Sequence, residues 1–152
     1  MHRIRTAQTS DLDELAPMAA ALWPDATAAD HGADLSEILA NGTNGTLPMA
    51  ILVSEDKTGA LNGFIEVGLR SHADGCDTKR PVGFIEGWFV VEPLRNRGVG
   101  RELMRTAEEW ARAQGCVEMA SDALIDNELS LRAHEAVGFE VVDRCAHFKK
   151  AL

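Results

Sequence analysis

Between Gly87 and Gly115 an apolar run, Gly87-Trp88-Phe89-Val90-Val91-Glu92-Pro93, leads into a turn rich in arginine and glycine. That turn, Arg95-Asn96-Arg97-Gly98-Val99-Gly100-Arg101, is followed by a helix-patterned stretch. The order reads as strand, tight turn, helix start. A helix leaves its first N–H groups unpaired and carries partial positive charge at that end, so a turn short of Cβ atoms lets an anion rest against bare backbone. Gly98 and Gly100 supply the bare backbone, and Arg95, Arg97 and Arg101 add positive charge. The segment is therefore read as a pyrophosphate cradle.

Two common nucleotide folds do not fit it. The dinucleotide fingerprint G-x-G-x-x-G needs a glycine where Leu103 stands, and the acidic residue expected downstream has only loose candidates. A P-loop needs a Gly-Lys-Ser/Thr ending, and neither lysine nor hydroxyl follows Gly100.

The rest of the chain is consistent with one domain over residues 1–152, large enough to bury a core without staples. No apolar stretch approaches the roughly 20 residues of a membrane helix, and the N-terminal Met-His-Arg-Ile-Arg-Thr lacks a signal-peptide apolar region. Cys76, Cys116 and Cys145 are scattered, outside any Cys-x-x-Cys spacing, so a reducing cytoplasm is expected and no metal site is implied. A formal net charge of −9 opposes nucleic-acid binding and favours a cationic small substrate.

Periodicity and turn signals give the element order. Arg3-Ile4-Arg5 is a short strand. Thr9-Ser10-Asp11 caps a helix with apolar Leu12, Leu15, Met18, Ala19 and Leu22, which Trp23-Pro24 ends. Residues 26–39 form a second helix, and Asn41-Gly42-Thr43-Asn44-Gly45 is a loop. Strands over 49–53 and 60–69 make a hairpin around Lys57-Thr58-Gly59, a polar loop covers 70–81, and a strand covers 82–91. After the glycine turn, Val99, Leu103, Ala107, Trp110 and Ala111 form one helical stripe, with Glu108 and Arg112 paired outward. Gly115 stops this helix, 117–121 is a strand, Asp126 or Asn127 caps a helix to Ala136, and Gly138-Phe139 opens a last strand to about Phe148. The fold class is mixed α/β, with one crossover around the glycine turn.

Arg95, Gly98 and Gly100 meet the pattern Arg/Gln-x-x-Gly-x-Gly/Ala, which resembles the acyl-coenzyme A signature of the GCN5-related N-acetyltransferases (GNAT). Asn127 followed by Ala133-His134-Glu135-Ala136-Val137-Gly138-Phe139 resembles that family's C-terminal signature. Within the family, Leu22-Trp23-Pro24 with His31, Glu86-Gly87-Trp88-Phe89-Val90, Glu108-Glu109-Trp110-Ala111 and Glu118-Met119-Ala120-Ser121-Asp122 look like the aminoglycoside 6'-N-acetyltransferases. The resemblance implies a central mixed, mostly antiparallel sheet flanked by helices. It also implies acetyl-coenzyme A as cosubstrate, direct acetyl transfer to a 6'-amino group, antibiotic resistance, and a homodimer formed through C-terminal strands.

It further implies site residues. The pyrophosphate goes to Gly98, Val99, Gly100 and Arg101, with Arg95 and Arg97 beside it. The pantetheine arm runs along Phe89, Val90 and Val91 like an added strand, near Asn127. Trp23 and His31 form a wall of the acceptor site.

Acetyl transfer to an amine needs a base, because an amine resembling lysine is mostly ammonium at neutral pH. Glu86 interrupts an apolar strand beside Gly87, where a bulge or close approach is expected and where desolvation would raise a carboxyl pKa. Asp122 ends the next strand at the same mouth, in the resembling enzymes as a ligand of substrate amino groups, and the two roles are exchangeable. Relatives usually carry a tyrosine, as acid for the leaving thiolate, where this chain has His134, and this chain has no tyrosine at all. His134 stands in for it or serves as a hydrogen-bonded packing histidine. Two other readings stay open: a different acceptor (polyamine, peptide or metabolite amine), or a non-catalytic module responsive to coenzyme A.

Overall fold

The structure, a computed structural model, describes residues 2–152. Its elements run β1 (Arg3–Thr6), α1 (Leu12–Leu22), α2 (Ala28–Asn41), β2 (Met49–Glu55), β3 (Leu61–Arg70), β4 (Val82–Val90), α3 (Val99–Ala113), β5 (Met119–Ser121) and α4 (Glu128–Ala136). The strands form one sheet in the order β1-β2-β3-β4-β5, antiparallel from β1 to β4 and parallel between β4 and β5. This is the mixed, mostly antiparallel sheet expected from the sequence.

Both faces of the sheet are covered, which explains why β2, β3 and β4 are apolar on both sides. On one face Ile51, Val53 and Phe64 pack with Leu15, Ala19 and Leu35 of α1 and α2. On the other, Leu52, Ile65, Val67 and Ile85 pack with Val99, Leu103, Met104 and Ala107 of α3. Each such large side chain withdrawn from water contributes on the order of 1.5–3 kcal/mol. The α3 stripe falls where the 3.6 period put it, and Arg112 pairs with Glu108 at 3.4 Å on the outer side.

Local caps set the helix positions. Thr27 Oγ1 accepts from Asp30 N and Asp30 Oδ2 accepts from Thr27 N, a capping box that starts α2 two residues later than expected. Arg5 binds Asp11 at 2.7 and 2.9 Å and Glu55 at 2.7 Å, fastening the entry to α1 against β1 and β2. The Arg5 guanidinium holds the buried Asp11 carboxyl below the usual carboxylate range.

One expectation fails. The last strand expected from Gly138 to Phe148 does not form: α4 ends at Ala136 and no strand follows it. Phe139 packs on the α3 side, but Val141 (54% exposed), Val142 (66%) and Phe148 (96%) lie in water. The alternating apolar residues carry strand propensity, yet a strand needs a neighbour's edge and this segment is paired with none.

Candidate active site

The parallel ladder between β4 and β5 ends at Ile85↔Ser121, so the strands part just before Glu86 and Asp122. A wedge opens there along β4. On the β3 side, Glu66 pairs with Gly87 and Val67 with Ile85, leaving Glu86 as the extra residue of a β-bulge. The bulge inferred beside Gly87 is present and aims Glu86 toward the wedge mouth. Val91 N–H donates to Asn62 O at 3.0 Å, and ladder alternation then turns the N–H and C=O of Val90 and Trp88 to the open edge. Phe89 and Val91 face β3 with their backbone, and their side chains pack toward α1 and α2.

Below the wedge lies the glycine turn. Gly98 takes φ 91°, a left-handed conformation, as the N-cap of α3. The first α3 bond runs from Glu102 N–H to Gly98 O, so the N–H groups of Val99, Gly100 and Arg101 stay outside the backbone ladder, free for an anion. The residues fit a diphosphate. The three arginines separate: Arg95 Nε donates to Val90 O at 2.9 Å, and Arg101 Nη2 donates to Ala136 O at 2.9 Å at the end of α4. Arg97 is exposed and makes no ion pair among the described residues.

Between α2 and the sheet lies a cavity of about 550 Å³ lined by Trp23, His31, Asp34, Ile38, Glu66 and Glu86, among others. Trp23 sits over Gly87, where an added Cβ would lie 2.4 Å from the indole Cη2, so glycine is required for that approach. The indole also meets Phe64 edge-on and stands 5.7 Å from His31, whose Nε2–H donates to Trp23 O at 2.8 Å. The lining contains three carboxyl groups and neither lysine nor arginine.

Glu86 is not a lone carboxylate. Arg70 Nε and Nη2 donate to its two oxygens at 2.8 Å each, and the Arg70 guanidinium lies 3.5 Å over the Phe84 ring. Asp122 is exposed at the mouth, its charge acting on Arg70 from the other side. The carboxyl that burial pushes up, to about 7, is Glu66, with Glu86 and Asp34 adding to the effect.

His134 bridges α4 and the sheet. Its Nδ1–H donates to Ser130 O at 2.7 Å, which leaves Nε2 to accept from Ser121 Oγ at 2.8 Å in the neutral ring. Trp88 meets the imidazole edge-on at 5.4 Å. Asn127 caps α4, its Oδ1 accepting from Ser130 N at 3.1 Å.

Three residues of this centre carry no sequence-based assignment. Arg70 was expected in the loop after β3, Glu66 within the strand without a role, and Ser121 only as part of a motif. The available signal was Glu66, an acidic residue inside the apolar run Phe64-Ile65-Glu66-Val67 of a strand apolar on both faces.

Residues 13–139 match the sequence model of the acetyltransferase (GNAT) family. The chain is 38% identical over 149 residues to an aminoglycoside N(6')-acetyltransferase type 1 of Klebsiella aerogenes, covering 98% of this chain and 96% of that protein. A protein of the same name from Salmonella typhimurium is 35% identical, with 97% of each chain covered. The solved structure of AAC(6')-Iy with the bisubstrate analogue CoA-S-monomethyl-acetylneamine superposes with TM-score 0.88 at 32% identity, over 100% of this chain and 99% of that one. AAC(6')-Ih from Acinetobacter baumannii gives TM-score 0.88 at 29% identity, with 100% and 99% covered.

Proposed function

Since the chain belongs to the acetyltransferase (GNAT) family, we propose that it transfers acetyl from acetyl-coenzyme A to the 6'-amino group of aminoglycosides, and so confers resistance to them. The observation that carries this reading is a wedge with an anion cradle at one end and, across the bulged β4, an acidic cavity walled by an indole. A polycationic sugar suits that cavity: its ammonium groups meet carboxylates, and a ring lies against Trp23.

The chain's residues divide the work. The amides of Val99, Gly100 and Arg101 receive the diphosphate, with Arg97 beside them, and the Val90 backbone at the open edge aligns the pantetheine arm. Glu86, fixed by Arg70, and Asp122 orient the amine and take its proton through water. Nitrogen then bonds to the acyl carbon, a backbone N–H of β4 steadies the oxyanion, and the C–S bond breaks. The second proton of that nitrogen leaves as the C–S bond breaks and reaches the departing thiolate by way of the Ser121 hydroxyl and the His134 ring it contacts. Thiols leave readily, with pKa near about 8.5, so this proton contributes modestly.

The site operates in a homodimer within the cytoplasm. Support for the dimer is the unpaired, apolar stretch with Val141, Val142 and Phe148 exposed, which a second copy would cover; sedimentation showing only monomer refutes it. Support for the compartment is three unpaired cysteines.

A thiol-release assay with acetyl-coenzyme A and a panel of kanamycin-type aminoglycosides, spermidine and a short peptide tests the activity. Release with the aminoglycosides is expected. Release with spermidine or peptide alone would assign a different acceptor, and coenzyme A binding without any release would leave a binding module.

A further inference from the structure

Glu66 has no task in the steps above, yet it is the most unusual carboxyl in the protein. It is 6% exposed on β3, it lines the acceptor cavity, and neither of its oxygens accepts a hydrogen bond from any described residue. Its oxygens are not among the enclosed unpaired atoms of the described residues, so they open onto the cavity, and as an anion the carboxyl depends on what fills that space. Core packing offers no reason for it, since Phe64 two residues before it fills the same face with hydrocarbon. The neighbouring strand presents Gly87 opposite it, so no side chain of β4 at that register shields it from the cavity.

The titratable groups around it are Glu86 from β4 and Asp34 and His31 from α2; α1 contributes Trp23, and Arg70, farther along β3, is occupied by Glu86. Two of these neighbours are carboxyl groups, and the one arginine, Arg70, directs its donors to Glu86. An ammonium group entering the cavity is therefore the partner this carboxyl lacks.

We propose that Glu66 is the floor of the acceptor cavity, an anchor for a second ammonium group of the aminoglycoside, and that acceptor binding expels a proton from the Glu66 carboxyl to solvent. The proposal rests on the aminoglycoside reading above and adds a residue and a proton to it. Before binding, burial and the adjacent Glu86 and Asp34 disfavour a further anion, so near neutral pH the carboxyl keeps its proton in about half of the molecules. Once an ammonium lies against it, the ionised form gains a charge-assisted hydrogen bond and the proton leaves. Glu66 thereby sets how tightly a polycation is held, and Glu86 and Asp122 remain the groups nearest the wedge.

The experiment is calorimetric titration of a kanamycin-type aminoglycoside into the protein saturated with coenzyme A, which cannot transfer acetyl, in buffers of different ionisation enthalpy near about pH 7. Comparison of wild type with Glu66→Gln cancels the ligand's own proton uptake. The wild type is expected to release about half a proton more than the variant, and Glu66→Gln to raise the acceptor KM about tenfold with kcat changed less than about threefold. Carbon-13 labelling of glutamate carboxyls gives a second readout on the unaltered protein, with the Glu66 signal assigned by Glu66→Asp should the glutamine variant not fold. That signal is expected to move to the ionised position on saturation.

Equal proton counts and equal KM in the two proteins, or a Glu66 signal that stays put, overturn the assignment while wild-type turnover leaves the functional reading intact. A wild type that releases no thiol with any aminoglycoside overturns the functional reading itself.

Discussion

Arg70 and Glu86 meet as a two-point ion pair, Nε and Nη2 each 2.8 Å from one carboxylate oxygen, with the guanidinium 3.5 Å over the Phe84 ring. The pair ties the end of β3 to the bulge of β4 and fixes the direction of the one residue the bulge expels. With side chains 42% and 26% exposed, it is screened by solvent, and its worth lies in geometry more than in stability.

Replacing Arg70 with alanine frees Glu86 to rotate and leaves both its oxygens without protein donors. Steady-state thiol release should show kcat/KM falling roughly tenfold or more, the equivalent of losing about 1.4 kcal/mol of transition-state stabilisation. Folding stability should fall by about 1 kcal/mol or less. Arg70→Lys restores charge without the fork and should recover only part of the rate. Unchanged kcat/KM in both variants refutes the positioning role.

Gly87 and Trp23 give a second test. An alanine Cβ at position 87 would lie 2.4 Å from Cη2 and 2.6 Å from Cζ2 of the indole, so the ring must move. Overpacking of this kind costs about 1–3 kcal/mol, and at this chain length each kcal/mol lowers the melting temperature by roughly 2–4 °C. The displaced wall should also raise the acceptor KM while leaving coenzyme A affinity alone. Adding Trp23→Phe to Gly87→Ala makes room and should return most of the lost stability; a double variant no more stable than the single one argues against the contact as the cause.

These two relationships mark what a sequence can and cannot disclose. The bulge at Glu86 was legible because glycine inside a strand signals a close approach, and the cradle was legible because glycine and helix start are adjacent in the chain. Helix faces were legible through their period. Arg70 was not, because its partner is 16 residues away in sequence and their meeting depends on the β3–β4 register. The C-terminal strand failed for the same reason: Val141, Val142 and Phe148 carry strand propensity, but pairing is a property of a neighbour. The roles of Arg95 and Arg101 divided from that of Arg97 only once the carbonyls of Val90 and Ala136 were in place.

Asp11 predicts the acid limb of stability. Arg5 lowers the carboxyl's folded pKa beneath its ordinary 3.8, so the native state binds fewer protons than the unfolded chain in that range. The contribution is fully present above the unfolded value and is lost as pH falls through the folded one. Chemical denaturation of the wild type should therefore show stability dropping below about pH 4. Asp11→Asn should cost about 1–3 kcal/mol at neutral pH and flatten that limb. An acid limb identical in the two proteins removes Asp11 as its source.

Glu66 predicts the opposite limb, with the opposite sign. Its folded carboxyl titrates at about 7 against an ordinary 4.5, so between these values the native state binds more protons than the unfolded chain. Stability contributed by this group then falls as pH rises through the interval; below it both states are protonated, and above it both are ionised and the penalty is constant. At roughly 1.4 kcal/mol per pKa unit the whole penalty is on the order of 3 kcal/mol. Glu66→Gln removes the titration and should melt higher than wild type at about pH 8, with the advantage shrinking toward about pH 5. The prediction concerns the protein without acceptor. A saturating polycation that supplies the missing ammonium should narrow the gap at about pH 8 by stabilising wild type more than the variant. Melting curves at the two pH values, with and without a kanamycin-type aminoglycoside, measure all four quantities. A gap between wild type and Glu66→Gln that does not change with pH would show that the carboxyl titrates near its ordinary value, and that the cavity floor is better solvated than its burial indicates.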